Sequence, residues 1–348
     1  MKLESLLEDV TARGGSDLHL IHGLPPIARI AGEIGTLSHP VLDSDGIQAL
    51  LDPFLTDVNR ELLKKDCRVN CAHTIAEGRY RFSVYKALGT VGASIRALPH
   101  KIYPLSSLGL PPIVGALGHK KNGIILITGA TGSGKSTTMA AMLEWINQTG
   151  KPAKVITIED PVETIFKPCH SIFVQREVGA DTPSFAMGIV DALRQDPDVL
   201  CIGELRDVES INAAFVAAET GHLVLSTLHT RDASKTAQRI VTAVPAGDQE
   251  GMREHLATTL EAVISQELLP RADGKGQVLS CEVLIVTTAV RQMIRENKLE
   301  AINDAIQSGM SVGMTSRDAS IKNLYARQLI TREVALEHMR HPETLGKS

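Results

Sequence analysis

Residues 124–138, Ile-Ile-Leu-Ile-Thr-Gly-Ala-Thr-Gly-Ser-Gly-Lys-Ser-Thr-Thr, constrain this chain more than any other stretch. A short apolar run bounded by glycine predicts a buried strand, and the apolar spacing of Met139, Met142, Leu143 and Ile146 before Gly150 predicts a helix. Between them, Gly129, Gly132 and Gly134 can take positive φ and bring backbone amides close to an anion without a Cβ in the way. Lys135 adds a positive charge at the β- and γ-phosphates, and the Ser136 hydroxyl is a ligand for Mg²⁺. The strand–loop–helix order therefore predicts a nucleotide whose phosphates are held by Gly129, Ala130, Thr131, Gly132, Ser133, Gly134, Lys135, Ser136 and Thr137, at a helix N-terminus where unpaired amides and the dipole favour anions.

The rest of the chain bounds the class of protein around that loop. Its 348 residues suffice for two domains, and 43% hydrophobic with 22% charged residues is a globular rather than a disordered composition. The formal net charge of −4 supplies no general attraction for polyphosphate, so nucleic acid is not an expected partner. Five cysteines, at 67, 71, 169, 201 and 281, form no CxxC pair, which argues against a disulfide framework and against a four-thiolate zinc site. The acidic N-terminal stretch lacks the basic-then-apolar pattern of a signal peptide, and no apolar run approaches the ~18 residues of a membrane span. A cytoplasmic chain without direct membrane insertion is expected.

Hydrophobic patterning divides the chain in two. Leu3, Leu6, Leu7 and Val10 suit a first helix stopped at Gly14–Gly15, and strands are predicted at 18–21, 27–30, 68–75, 80–85 and 91–98. Within 79–84, Tyr80, Phe82 and Val84 alternate with Arg79, Arg81 and Ser83, so one face should be buried and the other should present the arginines. Residues 99–112, rich in Pro, Ser and Gly, read as a linker and hinge. Beyond it, strands predicted at 123–128, 154–158, 171–174, 198–203, 222–228 and 278–286 alternate with helical patterns, and 288–340 is mostly helical. The expected fold is α/β: an N-terminal domain at 1–98, a linker, and a P-loop domain at 113–348 whose largely parallel sheet places ligand chemistry at the carboxyl ends of its strands. Helix 289–296, with Ala289, Val290, Met293 and Ile294 on one side, is expected to be an interaction or coupling element.

Acidic residues and histidines fall where such a sheet would use them. Glu159, Asp160 and Glu163 follow the strand ending at Ile158, and Glu204 follows the strand ending in Cys201-Ile202-Gly203. Nucleotide hydrolysis needs one acid for the metal's shell and another to orient the attacking water, and two strand-end acids supply both. In Thr220-Gly221-His222-Leu223-Val224-Leu225-Ser226-Thr227-Leu228-His229, histidines flank an apolar strand expected beside the nucleotide, and both are candidates for sensing its γ-phosphate.

Together these residues resemble the secretion-ATPase superfamily of bacterial type II and type IV secretion and type IV pili. The resemblance rests on GATGSGKSTT at 129–138, an Asp box TIEDPVE at 157–163, a Walker B segment LRQDPDVLCIGELRD at 193–207 and a His box TGHLVLSTLHT at 220–230. SDLHL at 16–20 and GRYRFSVYKALGTVGASIRALP at 78–99 are similar to the superfamily's PAS-like N-terminal domain. AVRQMIRENK at 289–298 and the segment 305–331 resemble the retraction-ATPase (PilT-like) branch of the type IV pilus, and the chain lacks the four-cysteine insertion of assembly ATPases. Gln292, Met293 and the run Thr315-Ser316-Arg317-Asp318 depart from that branch's usual pattern. The resemblance implies a RecA-like ATPase working as a homo-hexameric ring, with ATP and Mg²⁺ between the N-terminal and P-loop domains. Its work would be pilus retraction in twitching motility, against an inner-membrane platform protein that holds it at the membrane periphery, with a paralogous ATPase as a further partner. It also implies roles: Glu163 polarises water, Glu204 holds Mg²⁺ through its shell, His222 and His229 read the γ-phosphate, and Arg81 and Arg96 neutralise transition-state charge. An ATPase of a related secretion or conjugation system, and an accessory ring subunit with weak turnover, remain as alternatives.

Overall fold

The structure is a computed structural model that describes residues 1–76, 78–98 and 101–346. Pro99 and His100, at the head of the expected linker, and Lys347 and Ser348, at the end of the expected P-loop domain, lie outside the described residues. Two compact units emerge: Met1–Lys101 with Ile158–Phe166 and Gln175–Ser184, and Ile102–Thr157 with Lys167–Val174 and Phe185–Ser348.

The first unit begins with helix α1 (Leu3–Ala12), whose Leu3, Leu6, Leu7 and Val10 stripe is buried as its spacing requires. Strands β1 (Gly15–Leu20), β2 (Ile27–Ile30) and β3 (Glu33–Thr36) follow, then helices α2 (Ser44–Leu51) and α3 (Asp57–Asp66), then strands β4 (Arg68–Ile75), β5 (Gly78–Ala87) and β6 (Thr90–Leu98). They form a six-stranded antiparallel sheet in the order β3-β2-β1-β6-β5-β4. Tyr80, Phe82 and Val84 of β5 are buried, in register with His73, Cys71 and Val69 of β4, so the period-2 reading of this strand holds. They join the α1 and α2 leucines in one core. The opposite face carries Arg79, Arg81 and Ser83. β3 was not expected from the sequence: all four of its residues are exposed, so no burial pattern marks it.

The second unit contains helix α4 (Ile113–Leu117), strand β7 (Gly123–Gly129), helix α5 (Lys135–Thr149), strands β8 (Lys154–Glu159) and β9 (Ile172–Glu177), of which the outer residues belong to the first unit, helix α6 (Phe185–Ala192), strand β10 (Val199–Ile202), helix α7 (Val208–Glu219), strand β11 (Leu223–Leu228), helices α8 (Ala233–Val241) and α9 (Gln249–Thr259), and strands β12 (Leu260–Pro270) and β13 (Gln277–Ile285). The sheet order is β13-β12-β7-β11-β10-β8-β9, with β12, β7, β11 and β10 parallel and β13 antiparallel to β12. All seven residues of β7 are buried, which is why it reads as a continuous apolar run. Within the segment expected to link the domains, residues 105–107 form a 3₁₀ turn that buries Leu105. Helices α10 (Thr288–Arg295), α11 (Ile302–Ser308), α12 (Arg317–Ala326) and α13 (Arg332–His338) complete the tail, as its helical pattern predicts. The architecture is thus mixed α/β, with an N-terminal sheet subdomain, a RecA-like central sheet and C-terminal helices.

Candidate nucleotide site

The loop between β7 and α5 has the backbone its glycines permit: φ is 146° at Gly129, 80° at Gly132 and 88° at Gly134. Gly134 is the N-cap of α5, so the loop ends on that helix's N-terminus. Lys135 is buried, and its Nζ donates to the carbonyls of Gly129 and Ala130 at 2.9 Å each. Burial lowers the Lys135 pKa below the ordinary lysine value, and the Glu204 carboxylate partly opposes this. Ser136 and Thr137 are exposed on the first turn, while the Ser133 hydroxyl is buried without a hydrogen-bond partner. A cavity of about 270 Å³ borders Ala130–Ser133 and is lined also by Arg231, Gln266 and Arg317.

Glu204 lies just past the carboxyl end of β10. The register β10–β11–β7 is parallel throughout, so Glu204, His229 and the phosphate loop share one edge of the sheet. Side-chain bonds from β11 fix that edge: Ser226 donates to the Ile202 carbonyl at 2.8 Å and Thr227 to the Gly203 carbonyl at 2.6 Å. Glu204 pairs with Arg206, and its Oε2 is 3.6 Å from His229 Nε2.

His222 does not join them. It precedes β11 at the amino end, where its carbonyl accepts the Gly123 N–H and its Nδ1 is 2.8 Å from the Ala217 carbonyl. The six residues of β11 lie between it and His229, seven steps or about 23 Å at ~3.3 Å per residue. Within one chain only His229 stands on the phosphate-loop edge, and His222 lies at the far end of the strand.

In the first unit, Arg81 Nη1 donates to Glu163 Oε1 at 3.0 Å, and Arg96 Nε donates to Asp17 Oδ1 at 2.8 Å. Arg81 and Arg96 are directly opposite on β5 and β6. Like charges in that register repel, and each is offset by its own carboxylate. Burial alone would raise the Asp17 pKa, but the Ser16 hydroxyl and Arg96 hold it below the usual value. Arg79, expected on the same strand face as Arg81, converges with Gln175 and Glu177, which motif reading passed over, on the loop that carries Glu163. The available signal was their alternate spacing, 79 with 81 and 175 with 177, which puts each pair on one strand face.

The residues fit a nucleotide with its metal. The positive-φ loop and Lys135 suit phosphates, and Ser136 with Glu204 are the groups that would hold Mg²⁺. Among the described residues no group of three or more His, Cys, Asp or Glu could hold a metal by itself.

A RecA-like sheet with a glycine-rich loop, a helix N-terminus and a strand-end acid defines a P-loop nucleotide-binding protein. A family model described as "Type II/IV secretion system protein" matches residues 111–336. The chain is 39% identical to the type IV pilus retraction ATPase PilT of Pseudomonas aeruginosa over 344 residues, 99% of either chain. It is also 39% identical to a twitching motility protein of Neisseria gonorrhoeae, over 92% of this chain and 86% of that one. A crystal structure of the pilus retraction motor PilT with bound ADP superimposes with a TM-score of 0.89 at 43% identity, covering 99% of this chain and 98% of that one. The chain belongs to the type II/IV secretion ATPase superfamily, in its PilT-like branch.

Proposed function

We propose that this chain is a ring-forming, cytoplasmic ATPase that powers type IV pilus retraction at the membrane periphery. The observation that carries the reading is likeness to PilT over 99% of both chains, at 39% identity. The loop 129–137 binds ATP, with Lys135 on its phosphates; Ser136 and Glu204 would hold Mg²⁺, which would supply charge neutralisation at the phosphates. Glu163 orients the attacking water, His229 reads the γ-phosphate, and Arg81 and Arg96 offset charge that develops in the transition state. Residues 1–98 act as the PAS-like domain and 113–348 as the ATPase domain, with movement at 99–112. Six copies form the ring, and a membrane platform protein is the partner on which it works. Among the described residues no helix is long and apolar enough to cross a membrane.

Purified protein with Mg²⁺ is expected to hydrolyse ATP, Lys135→Ala to abolish turnover, and Glu163→Gln to lower kcat about a hundredfold or more. A native chain without turnover would favour the accessory-subunit reading instead. In cells, deletion is expected to leave abundant pili that do not retract, whereas bald cells would indicate assembly.

A further inference from the structure

Glu163 lies between β8 and β9 on a loop without regular structure, and a loop carboxylate that must align a water needs its backbone held. Three side chains of the first unit bracket it. On one side, the Val162 N–H donates to Glu177 Oε2 at 3.1 Å, while the Val162 carbonyl accepts from Arg79 Nε at 3.1 Å and Nη2 at 2.8 Å. On the other, Gln175 Nε2 donates to the Thr164 carbonyl at 2.7 Å and its Oε1 accepts the Phe166 N–H at 3.0 Å. The peptide groups before and after Glu163 are thus tied to β5 and β9, and its own carboxylate meets Arg81.

The clamp is partly desolvated. The side chains of Arg79 and Glu177 are each 12% exposed and 4.0 Å apart. Burial raises the Glu177 pKa, opposed by the Val162 and Ala72 N–H groups and by Arg79; burial lowers that of Arg79, opposed by Glu177 and Glu159. A solvated surface pair would specify little, but these two charges are held by the peptide they grip.

We propose that Arg79, Gln175 and Glu177 are positioning residues that hold the Val162–Phe166 loop so that the Glu163 carboxylate stays aligned on the attacking water. The catalytic half of this inference rests on the water-orienting reading of Glu163. The test uses the full chain with Arg79→Met/Glu177→Gln, which removes both buried charges together and leaves an amide oxygen opposite the Val162 N–H. With ATP and Mg²⁺, kcat is expected to fall about tenfold or more while KM stays within about twofold. Hydrogen–deuterium exchange across 160–167 should accelerate with the remaining first-unit peptides unchanged. Arg79→Lys, which keeps one donor, should recover part of kcat. An unchanged kcat, or unchanged exchange in that peptide, overturns the proposal. Glu163→Gln is measured alongside: native turnover in that variant defeats the water-orienting role, and the exchange data then decide by themselves whether the three side chains clamp the loop.

Discussion

At the residue scale, the phosphate loop is governed by what has no side chain and by what is buried. Gly129 combines φ 146° with a wall: a Cβ there would collide with the Gln266 carbonyl oxygen and with the Ser133 hydroxyl. Gly132 and Gly134 face open space, so a substitution there meets only backbone strain. Gly129→Ala is therefore expected to destabilise the protein by about 1–3 kcal/mol and to weaken nucleotide binding about tenfold. Thermal melts and a fluorescent-nucleotide titration check it, and Gly132→Ala should lose less stability. These glycines were legible in the sequence because their requirement is local. The partners of Glu163 were not, because Arg81 is 82 positions away and Arg79 is 83 from the Val162 it grips.

At the element scale, helix α10 has two faces with different work. Val290 and Ile294 are buried, and Arg291 is anchored: its Nη1 donates to the Ala257 carbonyl at 2.6 Å, and its Nη2 meets Glu261 Oε1 at 2.5 Å. Arg291 thereby caps the end of α9, where unpaired carbonyls favour a cation. Part of the segment expected to be a coupling element is therefore packing, and Ala289 is the exposed member of that stripe. Val290→Ala should cost about 2 kcal/mol, whereas Ala289→Glu should stay within about 0.5 kcal/mol of native stability and keep ATP turnover. Reduced twitching in the second variant would report a contact made outside the chain; unaltered twitching would remove α10's exposed side from the coupling path. The same scale explains strand β12. Leu256, Leu260, Val263 and Ile264 continue a helix-like spacing from α9 with no glycine or proline between, so nothing local marks where helix becomes strand. Its place beside β7 sets the transition.

At the scale of the whole molecule, the first unit has a hydrophobic core drawn from residues 3–95. Its piece 158–166 is bonded to β5 through Arg79 and Arg81. A fragment of residues 1–98 is therefore expected to melt cooperatively by circular dichroism, and a broad non-cooperative transition would show that the unit's later pieces are required for folding. Strand alternation, the glycine loop and the strand-end acids were determined by the sequence by itself, since each depends on φ preference, side-chain period or a neighbour a few residues off. Only the tertiary structure decided that Glu163 keeps company with the arginines of the first unit and that β12 lies against β7. Those outcomes depend on pairing between distant segments, which is not written in the spacing of residues along the chain.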